Sequence, residues 1–563
     1  MPGYESKSQR PLRRFLYDCV GIKRRFRRMK KTIFHIVILS AIVAGALLVF
    51  VDKAVHMDDT LFIWTARQII ERPWDFYGFS ANWDGKAAQA VEIIKNPPLA
   101  AYYLAAAGYF YGFTERALHM AFIIPAVFAV LGTYALSRRF TSMPLAAALA
   151  AFATPAFLVS ATTLMCDVMM LAFWVWAVFF WVKGVDEGRG AYLLAGALFI
   201  ALASLTKYFG VSLIPLLAAW SILRGKKGLK SLLYLLIPLV VLGAYQLYTG
   251  YIYGTGLLLD ASAYSTRIGA ESTADLYEKA FIGLAFAGGS IIIALFFLPA
   301  IWGLRAIIPG LMIASGAAFY AYKKGELGFV AFFGPGFGWG YMAELSVCAA
   351  TGAAIILLVL YDLAKKRDAE SILLALWVLG TLAFTVHVNW TINARSILPM
   401  APAVGILLVR AAGNAGTARL LVPLALSFAV SFLVAWGDYS LAGSARDAAK
   451  HISGKYSGEG RLWFQGHWGF QYYMEAAGAK AIDWKESRVM PGDTIAFPFN
   501  NTGLRLMKEE SITVAEELKY TPSALVSTMT LGPGAGFYAS EWGPMPFMLF
   551  PPNDERYWVV YAR

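Results

Sequence analysis

Charge is in short supply in this sequence. Only 15% of its 563 residues are Asp, Glu, Lys or Arg, against about 25% in an ordinary soluble domain. That excludes a string of soluble domains, which the length alone would suggest. Cysteine is scarcer still: Cys19, Cys166 and Cys348 are the only three, and they lie far apart. No metal-ligand spacing joins them and no disulfide framework is supported. His119 and His387 lie beside apolar runs, where a structural role fits better than metal ligation. Gly532-Pro533-Gly534-Ala535-Gly536 is glycine-rich, but no nucleotide motif surrounds it. A nucleotide or redox cofactor is therefore not expected.

What the chain has in abundance is apolar sequence. Hydrophobic residues make up 58% of it and the mean hydropathy is +0.55. A bilayer-spanning helix needs about 20 mostly apolar residues. Such runs recur at 33–51, 116–136, 144–162, 166–183, 191–206, 208–223, 231–251, 279–301, 306–322, 342–361, 371–390, 394–411 and 419–436. The expected fold is a polytopic α-helical membrane protein of about 13 transmembrane helices. A basic tail, 1–32, precedes the membrane domain, 33–436. A small α/β domain, 437–563, follows it.

The net charge of +13 is concentrated at the start, in Arg13, Arg14, Lys23, Arg24, Arg25, Arg27, Arg28, Lys30 and Lys31. Basic tails can bind nucleic acid. Directly before an apolar helix, this one reads as an orientation signal beside anionic lipid, with the N-terminus cytoplasmic. The run 33–51 exceeds the length of a signal-peptide core and reads as a retained first helix. Threading from there puts Arg138, Arg139, Lys183, Arg189, Arg224, Lys226, Lys227, Lys230, Arg305, Lys365, Lys366, Arg367, Arg410 and Arg419 on the inner side. Lys323 and Lys324 fall outside and break the pattern. If Pro98 to Phe113 crossed, every later loop would invert, so it reads as interfacial or re-entrant within a long first outer loop, 52–115. Its Tyr102, Tyr103, Tyr109, Phe110 and Tyr111 suit that position.

On this map the outer helix ends collect the polar residues: Asp58 and Asp59 after the first helix, Asp167, Lys207 with Tyr208, and Asn389, Asn393 and Arg395. Each has an ordinary reading. Asp58 or Asp59 can cap the helix 60–71, Asp167 can cap the helix it opens, and Lys207 and Arg395 can snorkel. Their shared side favours chemistry. A carboxylate can take the proton of an attacking hydroxyl. Lys and Arg can stabilise a phosphate leaving group. Two carboxylates such as Asp59 and Asp167 can hold a divalent metal.

The order Met57-Asp58-Asp59-Thr60-Leu61-Phe62, then Lys95 before Asn96-Pro97-Pro98-Leu99, a Thr154-Pro155 step, Leu164-Met165-Cys166-Asp167-Val168, Lys207-Tyr208 and Arg395-Ser396-Ile397-Leu398-Pro399 resembles the GT-C glycosyltransferases of the protein O-mannosyltransferase and aminoarabinose lipid A transferase type. The resemblance covers roughly residues 33–440. It implies transfer of a sugar from a polyprenyl-phosphate donor to a lipid, glycan or protein acceptor outside the cytoplasm, usually with inversion. It implies Asp58 as base, Asp59 and Asp167 as supporting carboxylates near the acceptor or a metal, and Lys207 and Arg395 on the carrier phosphate. Lys95, Asn96 and Tyr208 join these as candidate substrate contacts. The chain departs from the family at Asp59, where Glu is frequent, at Phe62, where an aromatic hydroxyl is frequent, and at His119, which stands for an arginine.

In the C-terminal region, strand-like runs lie at 460–464, 493–499, 511–514 and 557–561, with helices at 441–452 and 471–477. Trp463 to Phe470 is rich in aromatics, which suits either the lining of an acceptor cleft or a half-buried core edge. The rival to an enzyme is a transporter or lipid flippase. It would require charges at mid-membrane depth or paired half-helices, and neither is evident. The threading is open to a direct check. In a chain whose native cysteines are replaced by serine, Lys86→Cys should react with a membrane-impermeant maleimide in intact cells and Lys226→Cys should not. The reverse pattern would overturn the orientation.

Overall fold

The computed structural model describes residues 9–563 apart from 272–275, most of 304–338, 414–416, 459–460, 506, 531–533 and 552–553. Among the described residues eight helices are long and apolar enough to cross a membrane, and up to ten if each of two bent pairs counts as one span. The expected figure of about 13 is corrected accordingly. Two expected spans are the shorter helices Gly190–Thr206 and Tyr208–Leu223. At 1.5 Å per residue the first is about 26 Å long, short of the roughly 30 Å hydrocarbon core. The expected span 306–322 lies outside the described residues, as do Lys323 and Lys324.

The two bent pairs have local causes. Pro144–Phe152 and Pro155–Ala161 meet at 65°. Pro155 cannot donate into the preceding turn, and Thr154 caps the new helix by accepting from the Phe157 N–H at 3.3 Å. Leu276–Ser290 and Ile293–Trp302 meet at 86°. Leu99–Tyr111 forms a separate helix of 13 residues. At about 20 Å it is too short to span. Tyr109, Phe110 and Tyr111 at its end are exposed.

The charged residues of the bundle gather at its two ends. At one end Arg139 pairs with Asp186, and Arg224 reaches Asp186 at 3.1 Å and Glu370 at 3.0 Å. Arg410 lies 3.5 Å from Asp362 there. Helix ends threaded to the inner side are thus joined by ion pairs, in two groups. At the other end lie Lys53, Asp58, Asp59, Asp167, Lys207 and Arg395.

The last membrane helix is one element of 40 residues, Thr417–Tyr456, running unbroken past position 436. Beyond it a mixed five-stranded sheet has the order Lys480–Ala481, Leu462–Phe464, Thr494–Pro498, Glu555–Ala562, Ile512–Tyr520. The first three strands are parallel to one another and the last two pair antiparallel. The four strand-like runs of the sequence are four of these five strands. Their alternating faces bury Phe464, Ala496, Tyr557 and Val559 against Ala448, Ala449 and Ile452 of the long helix.

The segment 526–548 leaves the sheet and returns to the bundle. Met529, Phe537, Tyr538 and Phe547 are buried with membrane-helix residues in one core. A buried ion pair fastens it there. Lys53 and Asp438, both with no exposure, are in direct contact. Lys53 also donates to Thr162 Oγ1 at 3.2 Å. Asp438 accepts from Thr528 Oγ1 at 2.6 Å and from Tyr538 OH at 2.8 Å. Removing one partner strands the other charge in a medium that cannot solvate it. Asp438→Asn should cost about 3–5 kcal/mol, read as a lowered melting temperature in detergent. Adding Lys53→Met should restore part of that loss, because no uncompensated charge remains.

Candidate functional site

The site begins at a turn. Met57 takes a left-handed backbone, φ 46°, which a non-glycine residue seldom adopts. After it Asp58 and Asp59 part in role. Asp59 does the structural work: Oδ2 accepts from the His56 N–H at 3.2 Å and Oδ1 from the Leu164 N–H at 2.8 Å. It has no exposure. Asp58 stands at the N-cap position of the helix Asp59–Glu71 but its side chain makes no capping hydrogen bond. Its carboxyl, 34% exposed, faces a cavity instead.

That cavity, of about 800 Å³, is walled by Asp58, Lys95, Asn96, Lys207, Tyr208 and Arg395 among others. Eight of the ten polar residues singled out in the sequence, Asn389 and Asn393 included, thus line one space. The other two, Asp59 and Asp167, stand behind the wall. Asp167 opens the helix Asp167–Glu187 with no exposure. Its Oδ1 accepts from Lys207 Nζ at 2.6 Å, and its Oδ2 lies 3.6 Å from Arg395 Nη1. Lys207 sits at the break between Gly190–Thr206 and the turn Tyr208–Ser212. Arg395 sits in the short helix Ala394–Ile397, where Asn393 Oδ1 caps by accepting from the Ser396 N–H at 2.8 Å. Both cations are therefore paired side chains held to a buried carboxylate, not snorkelling ones.

Arg395 also links the two acids. Its Nη2 is 3.6 Å from Asp58 Oδ2, and its guanidinium lies 5.5 Å from the ring centre of Tyr538. Arg395 Nε and Asp167 Oδ2 have no hydrogen-bond partner among the described residues. Unfilled donors on a buried guanidinium at a cavity wall suit an anionic ligand. The remaining candidates are more peripheral. Lys95 bonds Asp260 Oδ2 at 2.7 Å, Asn96 accepts from Cys166 Sγ at 3.8 Å, and Tyr208 shares a hydrogen bond of 3.0 Å with Tyr245.

A metal on Asp59 and Asp167 does not fit these contacts. Both Asp59 oxygens are taken by backbone amides, and Asp167 faces two cations. No group of three or more His, Cys, Asp or Glu capable of holding a metal occurs among the described residues. His119 is held at Glu115 O and Thr162 O, 2.9 and 3.2 Å away, as a structural residue.

Burial governs protonation around this turn. It pushes Asp58 above the usual carboxylate range, although the Arg395 charge opposes it. It pushes Asp59 up to about 7, against Lys53 and the two amides. It pushes His56 down to about 4, although Asp438 lies 3.7 Å away.

Several residues of the site carry no mark in the sequence. Asp438 sits inside a long helix, and Tyr538 and Trp542 lie in an irregular segment; no local pattern picks them out. Of the two readings of the aromatic run each holds in part: His467 and Trp468 line the cavity, whereas Trp463 and Phe464 are core.

Fold and site together define a polytopic helical membrane protein with a cavity lined by carboxylates and cations at one end of the bundle. Residues 95–247 match the family model of the dolichyl-phosphate-mannose-protein mannosyltransferases. This bears out the resemblance read from the motifs. The matched stretch holds Lys95, Asn96, Asp167, Lys207 and Tyr208. No curated protein matches the chain. Crystal structures of ArnT from Cupriavidus metallidurans are similar at 15% identity, over 82% of this chain and 92% of theirs. Their TM-scores are 0.42 for the apo state and 0.43 for the form bound to undecaprenyl phosphate. The apo oligosaccharyltransferase of Archaeoglobus fulgidus is similar at 14% identity, over 80% of this chain and 64% of its own, with a TM-score of 0.46.

The raised Asp59 yields a pH test. The folded state binds more protons than the unfolded chain between the ordinary 3.8 and about 7. The stability Asp59 contributes is therefore present below that window and is lost as pH rises through it. Asp59→Asn lacks this dependence. The melting temperature of the variant minus that of the native chain should rise from pH 4.5 to 7 and level off above. A difference independent of pH would contradict the assignment.

Proposed function

We propose that this protein is a membrane glycosyltransferase that moves a sugar from a polyprenyl-phosphate donor to an acceptor hydroxyl outside the cytoplasm, inverting the anomeric centre. One observation carries the reading: an uncapped carboxylate, Asp58, shares a cavity wall with two cations, Lys207 and Arg395, that are pinned to a buried acid. The family match over residues 95–247 supports it, since that family is described by a polyprenyl-phosphate mannose donor.

The chemistry follows from the arrangement. The donor phosphate sits against Lys207 and Arg395, where Arg395 has a donor to spare. The acceptor oxygen attacks the anomeric carbon, the bond from that carbon to the phosphate oxygen breaks, and its electron pair stays on the phosphate. The hydroxyl proton passes to Asp58. A base held above the usual carboxylate range accepts that proton more readily. Lys207 and Arg395 offset the charge growing on the leaving phosphate. Asp167 positions both cations and Asp59 fixes the turn that aims Asp58.

Positioned general bases contribute about 10²–10⁴-fold. Asp58→Asn should lower transfer from a defined polyprenyl-phosphate sugar by that order while the protein still inserts and binds undecaprenyl phosphate. Lys207→Ala and Arg395→Ala should weaken binding of undecaprenyl phosphate itself. Full transfer by Asp58→Asn would remove the assignment of the base.

A further inference from the structure

The cavity also has a wall of different chemistry. Four rings run in a chain along it. Trp83 stacks on His467 with centroids 4.5 Å apart and planes at 7°. His467 meets Trp468 at 5.1 Å, and Trp468 meets Trp542 at 5.7 Å. All four line the cavity. They come from distant parts of the chain: the first loop, the start of the helix Trp468–Ala476, and the turn Ser540–Trp542. Trp83, Trp468 and Trp542 are partly buried against the core, while His467 is 4% exposed and stacks on Trp83.

This wall is tied to the reacting end. Thr60 Oγ1 donates to the Trp468 carbonyl at 3.0 Å, two residues from Asp58. Trp468 itself holds a left-handed backbone, φ 64°, a conformation a non-glycine residue seldom adopts. Next to it Gly469 lies so close to the Val55 carbonyl that a Cβ would come within 2.0 Å. The loop carrying Asp58 and the loop carrying Trp468 are packed backbone to backbone.

The charges on this wall are carboxylates. Asp84 follows Trp83 and Glu541 precedes Trp542, and both line the cavity. Glu541 accepts from Thr391 Oγ1 at 2.6 Å. The cavity's lysines and arginine, Lys95, Lys207 and Arg395, are each paired with an acid elsewhere. Burial pushes His467 down to about 4, so it is neutral near pH 7. Flat apolar faces flanked by hydrogen-bond acceptors match one ligand chemistry well. A pyranose or furanose ring offers an apolar C–H face for stacking and hydroxyls for carboxylates to accept from. A phosphorylated acceptor would meet Asp84 and Glu541 on this wall, while the cavity's cations already face acids.

Resting on the glycosyltransferase reading, we infer that the acceptor is a neutral carbohydrate, bound by its sugar ring against Trp468 and Trp542 with Asp84 and Glu541 accepting from its hydroxyls. One hydroxyl of that sugar then reaches the donor's anomeric carbon and gives its proton to Asp58. The products are a lengthened glycan and the free polyprenyl phosphate.

The experiment uses the full chain in nanodiscs and saturation-transfer NMR. The probes are neutral methyl hexosides, methyl pentosides and short oligosaccharides, alongside a Ser/Thr-containing peptide and glucosamine 1-phosphate. Binding of undecaprenyl phosphate is measured separately. Neutral saccharides should show transfer. The signal should fall at least fivefold in Trp468→Ala and Trp542→Ala and persist in Trp468→Phe and Trp542→Phe, which keep a ring and report on folding. Glu541→Gln should weaken the signal less than loss of a ring. The inference is overturned if the peptide or the sugar phosphate binds in place of neutral saccharides, if no probe binds, or if the alanine variants bind saccharide unchanged. Saccharide binding without undecaprenyl phosphate binding would keep the saccharide site and remove the donor reading. The converse would remove this inference alone.

Discussion

Asp167 is the carboxylate on which the site depends. Enclosed by protein, it would be costly to keep charged without partners, and it has two: Lys207 Nζ at 2.6 Å and Arg395 Nη1 at 3.6 Å. The attraction works in both directions. The acid is tolerated because of the cations, and the cations are held at the cavity wall because of the acid. Three helix ends, at 167, 207 and 395, must converge for that to happen. The breaks at Lys207 and at Asn393 are what allow the cations to face inward rather than continue along a helix. Arg395 then passes the constraint on to Asp58, placing one carboxylate of the cavity beside a cation.

A second buried pair does comparable work for the C-terminal region. Lys53 and Asp438 sit 385 residues apart and fully buried. Asp438 gathers Thr528 and Tyr538, and Tyr538 lies under the Arg395 guanidinium. The segment after residue 520 is thereby part of the site as well as an appendage of the sheet. The first loop, the last membrane helix and the C-terminal segment close over the cavity together. Trp468, Trp542 and Glu541 reach the cavity only because of this closure.

How much could be read beforehand depended on the range of the interactions involved. Long apolar runs mark spans because each helix satisfies its own backbone in a bilayer, so most spans and their order were legible. The overcount arose where the pattern is ambiguous. A run of 17 apolar residues looks like a span by composition, and a bend at Thr154-Pro155 leaves the composition unchanged. The grouping of Asp58, Asp167, Lys207 and Arg395 at one end was legible too, because helices of similar length alternate ends and the basic loops fix the phase. The pairing of Asp59 and Asp167 as a metal site was a fair reading of two acids on one side. It fails on contacts, since backbone amides occupy one acid and cations face the other.

Legible in the residues before folding are the repeated crossings of a membrane, the helix ends that share a side, and the collection of carboxylates and cations at one of them. Those are consequences of local hydrophobicity and of charge placed against a low-dielectric layer. Tertiary structure alone decided which of two adjacent aspartates faces the cavity, since that turns on a left-handed residue at Met57 and on amides supplied from position 164. It alone decided that Asp438, Tyr538 and Trp542 belong to the site. Their partners lie more than seventy residues away, and the burial that gives those contacts their strength does not exist until the chain has folded.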